Sequence, residues 1–251
     1  LYIMKILVCI SHVPDTTSKI NFTENNSKFD KNGVQFVINP NDEFGLTRAM
    51  WLKEKQGASL DVINVGLADS DATLRKALAI GADKAIRINM DPKNGLNVAQ
   101  QIAHIVKSEN YDLVIGGRES IDYNGGMVPG MIAGLTDYNF IDKCINIEIN
   151  NDNVIAAREI EGGKEIIECK LPLVVAGQKG IVEESDLRIP NMRGIMMARR
   201  KELQIVEPVE AEDYTTSINF EKPEPKSEVT LISSDNVDEL INLLHNEAKA
   251  I

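Results

Sequence analysis

Residues 60–88 read LDVINVGLADSDATLRKALAIGADKAIRI, and their pattern sets the fold class. Residues 60–65 are mostly apolar and β-branched, the composition of a strand. Gly66 breaks that run and a helix starts near Ser70, with Leu74, Ala77 and Leu78 spaced to share one face. Gly81 stands where a helix end calls for left-handed backbone, and a second strand follows at 84–88. Strand, helix and strand in roughly 30 residues make a βαβ unit, whose crossover helix joins parallel strands.

The same alternation extends on both sides. Residues 5–10 (KILVCI) and 35–39 (QFVIN) read as strands. At Asn39-Pro40-Asn41-Asp42-Glu43 a helix opens: Asn39 suits the cap, Pro40 the first helical position, and the acids the positive end of the helix dipole. Leu46, Ala49 and Met50 give that helix its apolar stripe. A helix over 96–109 presents Val98, Ile102 and Ile105 to the core, and a strand at 112–116 leads into the glycine-rich stretch 116–130. Continuous apolar strands alternating with helices imply an α/β fold with a mostly parallel sheet covered on both faces.

From 139 to 176 the rhythm changes to closely spaced strands, with Glu161-Gly162-Gly163 as a hairpin turn, so an antiparallel extension is expected. Three regions result. Residues 4–187 form the α/β domain, 188–201 a loop and following helix, and 202–251 a C-terminal arm. Within the arm, 207–228 carries Pro208, Pro223 and Pro225 among charges and reads as extended. The helix at 235–249 has a stripe of Val237, Leu240, Ile241 and Leu244, which must be buried somewhere, a partner chain included.

Composition narrows the function. Of 251 residues, 38 are Asp or Glu and 27 Lys or Arg, for a net charge of −11, which argues against polyanion binding. No apolar run is long enough to span a bilayer, and the residues around Met4-Lys5, which reads as a natural start, lack the basic and apolar pattern of a secretory peptide. A cytoplasmic protein is expected. Cys9, Cys144 and Cys169 are scattered, as are His12, His104 and His245, so no disulfide framework or metal site is expected and each thiol reads as a small buried hydrophobe.

Parallel sheets bind ligands beyond the carboxyl ends of their strands, where the strand order reverses. Cys9 to Val13, Asn39 to Glu43 and Gly116 to Gly130 all follow strand ends. Gly116, Gly117, Gly125, Gly126 and Gly130 permit close backbone approach to a phosphate, with a helix beginning near Gly126 directing N–H groups at it. The same glycines also suit tight strand-to-helix turns, and composition alone does not separate the two readings. No nucleophile elbow, phosphate loop of the GxxxxGK[ST] type or paired His and nucleophile is present. Glu119 and Asp122 are better suited to capping or ribose contacts than to acid–base work, so binding is expected rather than catalysis.

Several segments together carry a family resemblance: KILVCISHVPDTTSKI (5–20), INPNDEFGLTRAMWLKEK (38–55), LRKALAIGADKAIRI (74–88), DLVIGGRESID (112–122), AREIEGGKEIIECKLPLVVAGQKG (157–180) and LRIPNMRGIMMARRKE (187–202). Over essentially its whole length the chain resembles the beta subunit of electron transfer flavoprotein. The resemblance implies a three-layer sheet like that of the adenine nucleotide alpha-hydrolases. It implies a heterodimer whose alpha subunit holds most of an FAD, while this chain supports that flavin and binds a structural AMP. Electrons would arrive from acyl-CoA dehydrogenase or another flavin dehydrogenase and pass to a downstream acceptor, and this chain would have no catalytic residues of its own.

Carried over by position, the AMP pocket would comprise Cys9, Ile10, Asn39, Pro40, Asn41, Asp42, Val65, Gly66 and the stretch from Ser120 through Asp122, Tyr123, Asn124, Gly125, Gly126, Met127, Val128 and Gly130 to Ala133. Asn41 replaces an aromatic usual in the family, and Val128 replaces a phosphate-facing hydroxyl, which leaves phosphate to backbone N–H groups near Gly125 to Gly130. Thr16 stands where many relatives place an aromatic near the flavin. Arg188, Ile189, Pro190, Met192 and Ile195 match a loop that docks into partner dehydrogenases, with Met192 as the apolar anchor; a core role for Met192 is the competing reading. Arg158 either crosses the subunit interface or pairs with a carboxylate in its hairpin, and Arg199-Arg200-Lys201 is a docking feature or a solvated face. Two other assignments are open: a bifurcating relative with a second FAD in place of AMP, and a stand-alone nucleotide-binding regulator or hydrolase.

Overall fold

The computed structural model describes residues 3–225 and 228–251, so positions 226 and 227 of the expected arm lie outside it. In chain order the elements are β1 (Lys5–Cys9), β2 (His12–Pro14), β3 (Phe22–Thr23), β4 (Lys28–Phe29), β5 (Phe36–Ile38), α1 (Pro40–Gln56), β6 (Ser59–Gly66) and α2 (Asp71–Ile80). There follow β7 (Lys84–Asn89), α3 (Gly95–Glu109), β8 (Leu113–Gly117), α4 (Val128–Thr136), β9 (Asn139–Asn150), β10 (Asn153–Ile160) and β11 (Gly163–Lys170). The chain ends with β12 (Leu173–Gly177), α5 (Met192–Ala198), β13 (Leu203–Val206) and α6 (Val237–Asn242).

Nine strands form one sheet in the order β11-β10-β9-β12-β8-β1-β6-β7-β13. From β9 through β13 neighbouring strands run parallel, and only β9-β10-β11 pair antiparallel. The α/β class, the parallel sheet and its hairpin extension are as expected. Helices cover both faces. One core joins Leu46, Ala49 and Met50 of α1 and Leu74, Ala77 and Leu78 of α2 to Ile6, Val8, Leu60 and Val62; the other joins Ile102 and Val106 of α3 and Ile132 of α4 to Leu7, Ile63, Ile86 and Val114. Alternate residues of β1 and β6 therefore enter opposite cores, which is why these strands read as unbroken apolar runs.

The structure corrects four local expectations. Residues 36–38 leave the main sheet and pair with β2, while His12 stacks on Phe36 with ring centroids 4.3 Å apart. Residues 173–177, grouped with the antiparallel strands, return parallel between β8 and β9. Leu203–Val206, placed in the arm, instead forms the sheet edge against β7. Of the three cysteines only Cys144 is fully buried, Cys9 and Cys169 being partly exposed.

Beyond β13, residues 207–233 carry no regular element among the described residues. The arm nonetheless holds to its own chain. Gln101 and Val209 exchange two hydrogen bonds, Lys93 pairs with Asp213 at 3.1 Å, and Phe220 stacks on Phe22 at 5.2 Å. The apolar residues Val237, Leu240 and Ile241 of α6 remain exposed. No helix among the described residues is long and apolar enough to cross a membrane.

Candidate functional site

β1 lies between β6 and β8, and the chain reaches β8 only after running outward through β6 and β7. The strand order thus reverses at the β1/β8 pair, and the carboxyl ends of β1, β6 and β8 open there into a crevice flanked by the starts of α1 and α4. Cys9, Val65, Gly66, Gly116 and Gly117 all stand at those ends.

The Asn39-to-Asp42 segment builds one wall. Asn39 occupies the cap position of α1 and Pro40 opens the helix, but the Asn39 side chain makes no cap bond. Instead its Nδ2 donates to the Glu119 carbonyl at 2.9 Å and its Oδ1 accepts from the Ile121 amide at 3.1 Å. Asn41 Nδ2 donates to the same Glu119 carbonyl at 3.0 Å. Asp42 is buried and accepts from the Ser11 amide through Oδ2 and from the Gly117 amide through Oδ1, each at 2.7 Å. The polar residues expected to meet a ligand thus mainly fasten the loops after β1 and β8 to the helix between them. Burial pushes the Asp42 carboxyl up to about 6 against the opposing pull of those amide donors, and raises the neighbouring Cys9 thiol, with Asp42 adding to that rise.

Gly117 explains part of the glycine content. A Cβ there would lie 2.5 Å from Asp42 Oδ1 and 2.6 Å from the Asn41 Cβ, so the residue is small because the protein packs against itself. Farther along, the backbone faces solvent. Asp122 Oδ1 accepts from the Tyr123 amide, the Asn124 amide donates to the Ser120 carbonyl, and Gly126 turns the chain at φ 59°. Among the described residues, the amides of Gly125, Gly126, Met127, Val128 and Gly130 donate to no protein acceptor, and Met127 supplies no side-chain cap to α4. Amides without a protein acceptor at a helix start are suited to an anion such as a phosphate.

The remaining expected residues have assigned places. Val65 and Ile10 are buried, and the Ile10 carbonyl accepts from Asn64 Nδ2 at 2.8 Å, while the Gly66 carbonyl accepts from Arg87 at 3.1 Å. Glu119 pairs with Arg118 at 2.7 Å and is not poised as a base. Asn64, Arg87 and Arg118 hold the strand ends and the loop after β8 through Ile10, Gly66 and Glu119 without having been singled out; Asn64 and Arg87 are polar residues inside apolar strands, and that was the available signal.

The residues expected to dock lie elsewhere. α2 (Asp71–Ile80) leads from the end of β6 toward the start of β7, and α5 packs at its far end, where a Cβ on Gly194 would lie 2.3 Å from the Ala79 carbonyl. Ile189 is 83% and Met192 74% exposed, which excludes the core reading for Met192. Arg158 pairs with Glu165 across its hairpin at 2.6 Å, and Lys201 donates to the Leu78 and Ala82 carbonyls at the end of α2. Among the described residues no group of three or more His, Cys, Asp or Glu side chains is placed to hold a metal.

Comparison with known proteins agrees in length and kind. Residues 27–211 match the family model of the electron transfer flavoprotein domain. The chain is 33% identical over 262 residues to the electron transfer flavoprotein subunit beta of Bacillus subtilis (strain 168), covering 99% of this chain and all of that one. It is 30% identical over 211 residues to the Homo sapiens subunit beta, covering 82% of each. Similarity to the mitochondrial subunit beta of Oryza sativa subsp. indica is 32% over 263 residues.

Proposed function

This chain belongs to the electron transfer flavoprotein family as a beta subunit, and on that premise we propose that it is the non-catalytic half of a heterodimeric electron carrier. An alpha subunit would hold most of an FAD, and this chain would support the flavin and bind AMP in the crevice. The flavin, when bound, supplies reversible electron storage between a donor dehydrogenase and a downstream acceptor. The chain's own residues position and bind. Asp42, Asn39 and Asn41 lock the crevice loops together, and the amides of Gly125 to Gly130 receive the AMP phosphate. Ile189 and Met192 offer an exposed apolar anchor to an acyl-CoA dehydrogenase or similar flavin dehydrogenase.

The observation that carries this reading is the set of unpaired amides at the start of α4, placed at the switch point of the sheet. Pairing with an alpha subunit is supported by Ile155 and Ile166, exposed on the β10-β11 hairpin, and by the uncovered stripe of α6. The test is co-expression with a candidate alpha subunit, followed by extraction and identification of the bound nucleotides. One FAD and one AMP per heterodimer is the expected result. Two FAD would replace the AMP assignment by a bifurcating one, and a stable monomer that forms no complex would overturn the reading.

A further inference from the structure

The docking segment ought to be loose. α5 has seven residues, of which only Ala198 is buried, and a helix that short is not stable on its own. Its order comes from anchors at both ends. At the entrance, Arg188 pairs with Glu54 of α1 at 2.7 Å and its amide donates to Thr47 Oγ1 at 3.2 Å. Asn191 caps α5 by accepting from the Gly194 amide at 2.8 Å. At the exit, Arg75 of α2 donates to the Ala198 carbonyl at 2.7 Å and the Lys201 carbonyl at 2.8 Å. Lys201 answers by donating to the Leu78 carbonyl at 3.0 Å and the Ala82 carbonyl at 2.6 Å. The end of α5 is thus closed by a cation from α2, and the end of α2 by a cation just beyond α5, where exposed carbonyls and the helix dipole favour positive charge.

We propose that Arg75 and Lys201 are positioning residues for partner docking: their reciprocal capping of α2 and α5 holds Ile189, Met192 and Met196 outward in a binding-ready arrangement. The bonds of both side chains go to backbone carbonyls of this chain, and neither is among the apolar residues proposed as the anchor. An anchor ordered in advance loses less freedom on docking, so weakening the clamp lowers affinity for the dehydrogenase and leaves electron transfer within the complex unchanged. The inference rests on the docking role proposed above.

The test uses the FAD-loaded heterodimer with an acyl-CoA dehydrogenase reduced by butyryl-CoA. Arg75→Met and Lys201→Met should each raise KM for the dehydrogenase about tenfold, with maximal rate and flavin content unchanged, and should speed amide exchange in residues 192–198. Arg75→Lys, which keeps a donor, should recover most of the loss. Met192→Ala serves as the reference. If it raises KM while Arg75→Met does not, the positioning role is wrong and docking stands; if Met192→Ala leaves KM at the wild-type value, the docking role itself fails. A fall in flavin content or global stability alongside KM in Arg75→Met would make the clamp a general structural feature and overturn the inference.

Discussion

Asp42 Oδ1 accepts the Gly117 amide at 2.7 Å and so ties the first turn of α1 to the end of β8. With the Ser11 amide on its other oxygen, this one carboxylate holds three chain segments at the mouth of the crevice. Asp42→Ala strands two amides in a buried place, at a cost of about 3 kcal/mol. A urea midpoint equal to wild type would contradict that role.

The same carboxylate makes a pH prediction. Burial raises it from 3.8 to about 6 in the folded chain. Because the folded value lies above the unfolded one, Asp42 favours the folded state fully below about pH 4, and that contribution is lost as pH rises through about 6. Wild type should therefore gain stability over Asp42→Asn when both move from pH 7.5 to pH 5, measured by urea unfolding. A difference that is constant across the two conditions would count against the shifted titration.

Gly117→Ala should displace the loop after β8, because the new methyl would meet Asp42 Oδ1 at 2.5 Å. Overpacking of this kind costs about 1–3 kcal/mol. The purified heterodimer should lose AMP before it loses FAD, as read by nucleotide extraction.

Arg158→Ala separates the two roles considered for that residue. Its pair with Glu165 is well exposed, with side chains 39% and 45% accessible, so removal costs under about 1 kcal/mol of subunit stability. A large loss of alpha-subunit affinity with normal unfolding would place Arg158 at the interface. Unchanged affinity would confine it to its hairpin.

Phe220→Ala removes the stack on Phe22 that seats the arm on the β3-β4 hairpin. An aromatic pair contributes about 1 kcal/mol, so the arm should be cleaved roughly fivefold faster by protease in the isolated chain, with little change in global unfolding. Equal cleavage rates would show that the arm is held by its polar contacts alone.

The central βαβ unit was legible because Leu74, Ala77 and Leu78 repeat at helical spacing between apolar strands. β13 was not, because Leu203–Val206 is a short edge strand that pairs with β7, more than a hundred residues earlier. Residues 36–38 have strand composition, but composition does not say which sheet a strand joins, and here the partner is the three-residue β2. In the crevice, the positions of Asn39, Asn41 and Asp42 were legible as a helix start; their side chains turn to partners near residue 120, a pairing no local pattern reveals.

The close approach of Gly194 to the Ala79 carbonyl decides what can change in α5 without loosening it. What secures α5 lies in backbone carbonyls, a glycine, the Asn191 cap and the cations Arg75, Lys201 and Arg188, of which only Arg188 is among the residues proposed to dock. Under the docking role proposed above, the exposed positions 189, 192 and 196 can change in shape and polarity without loosening that mount.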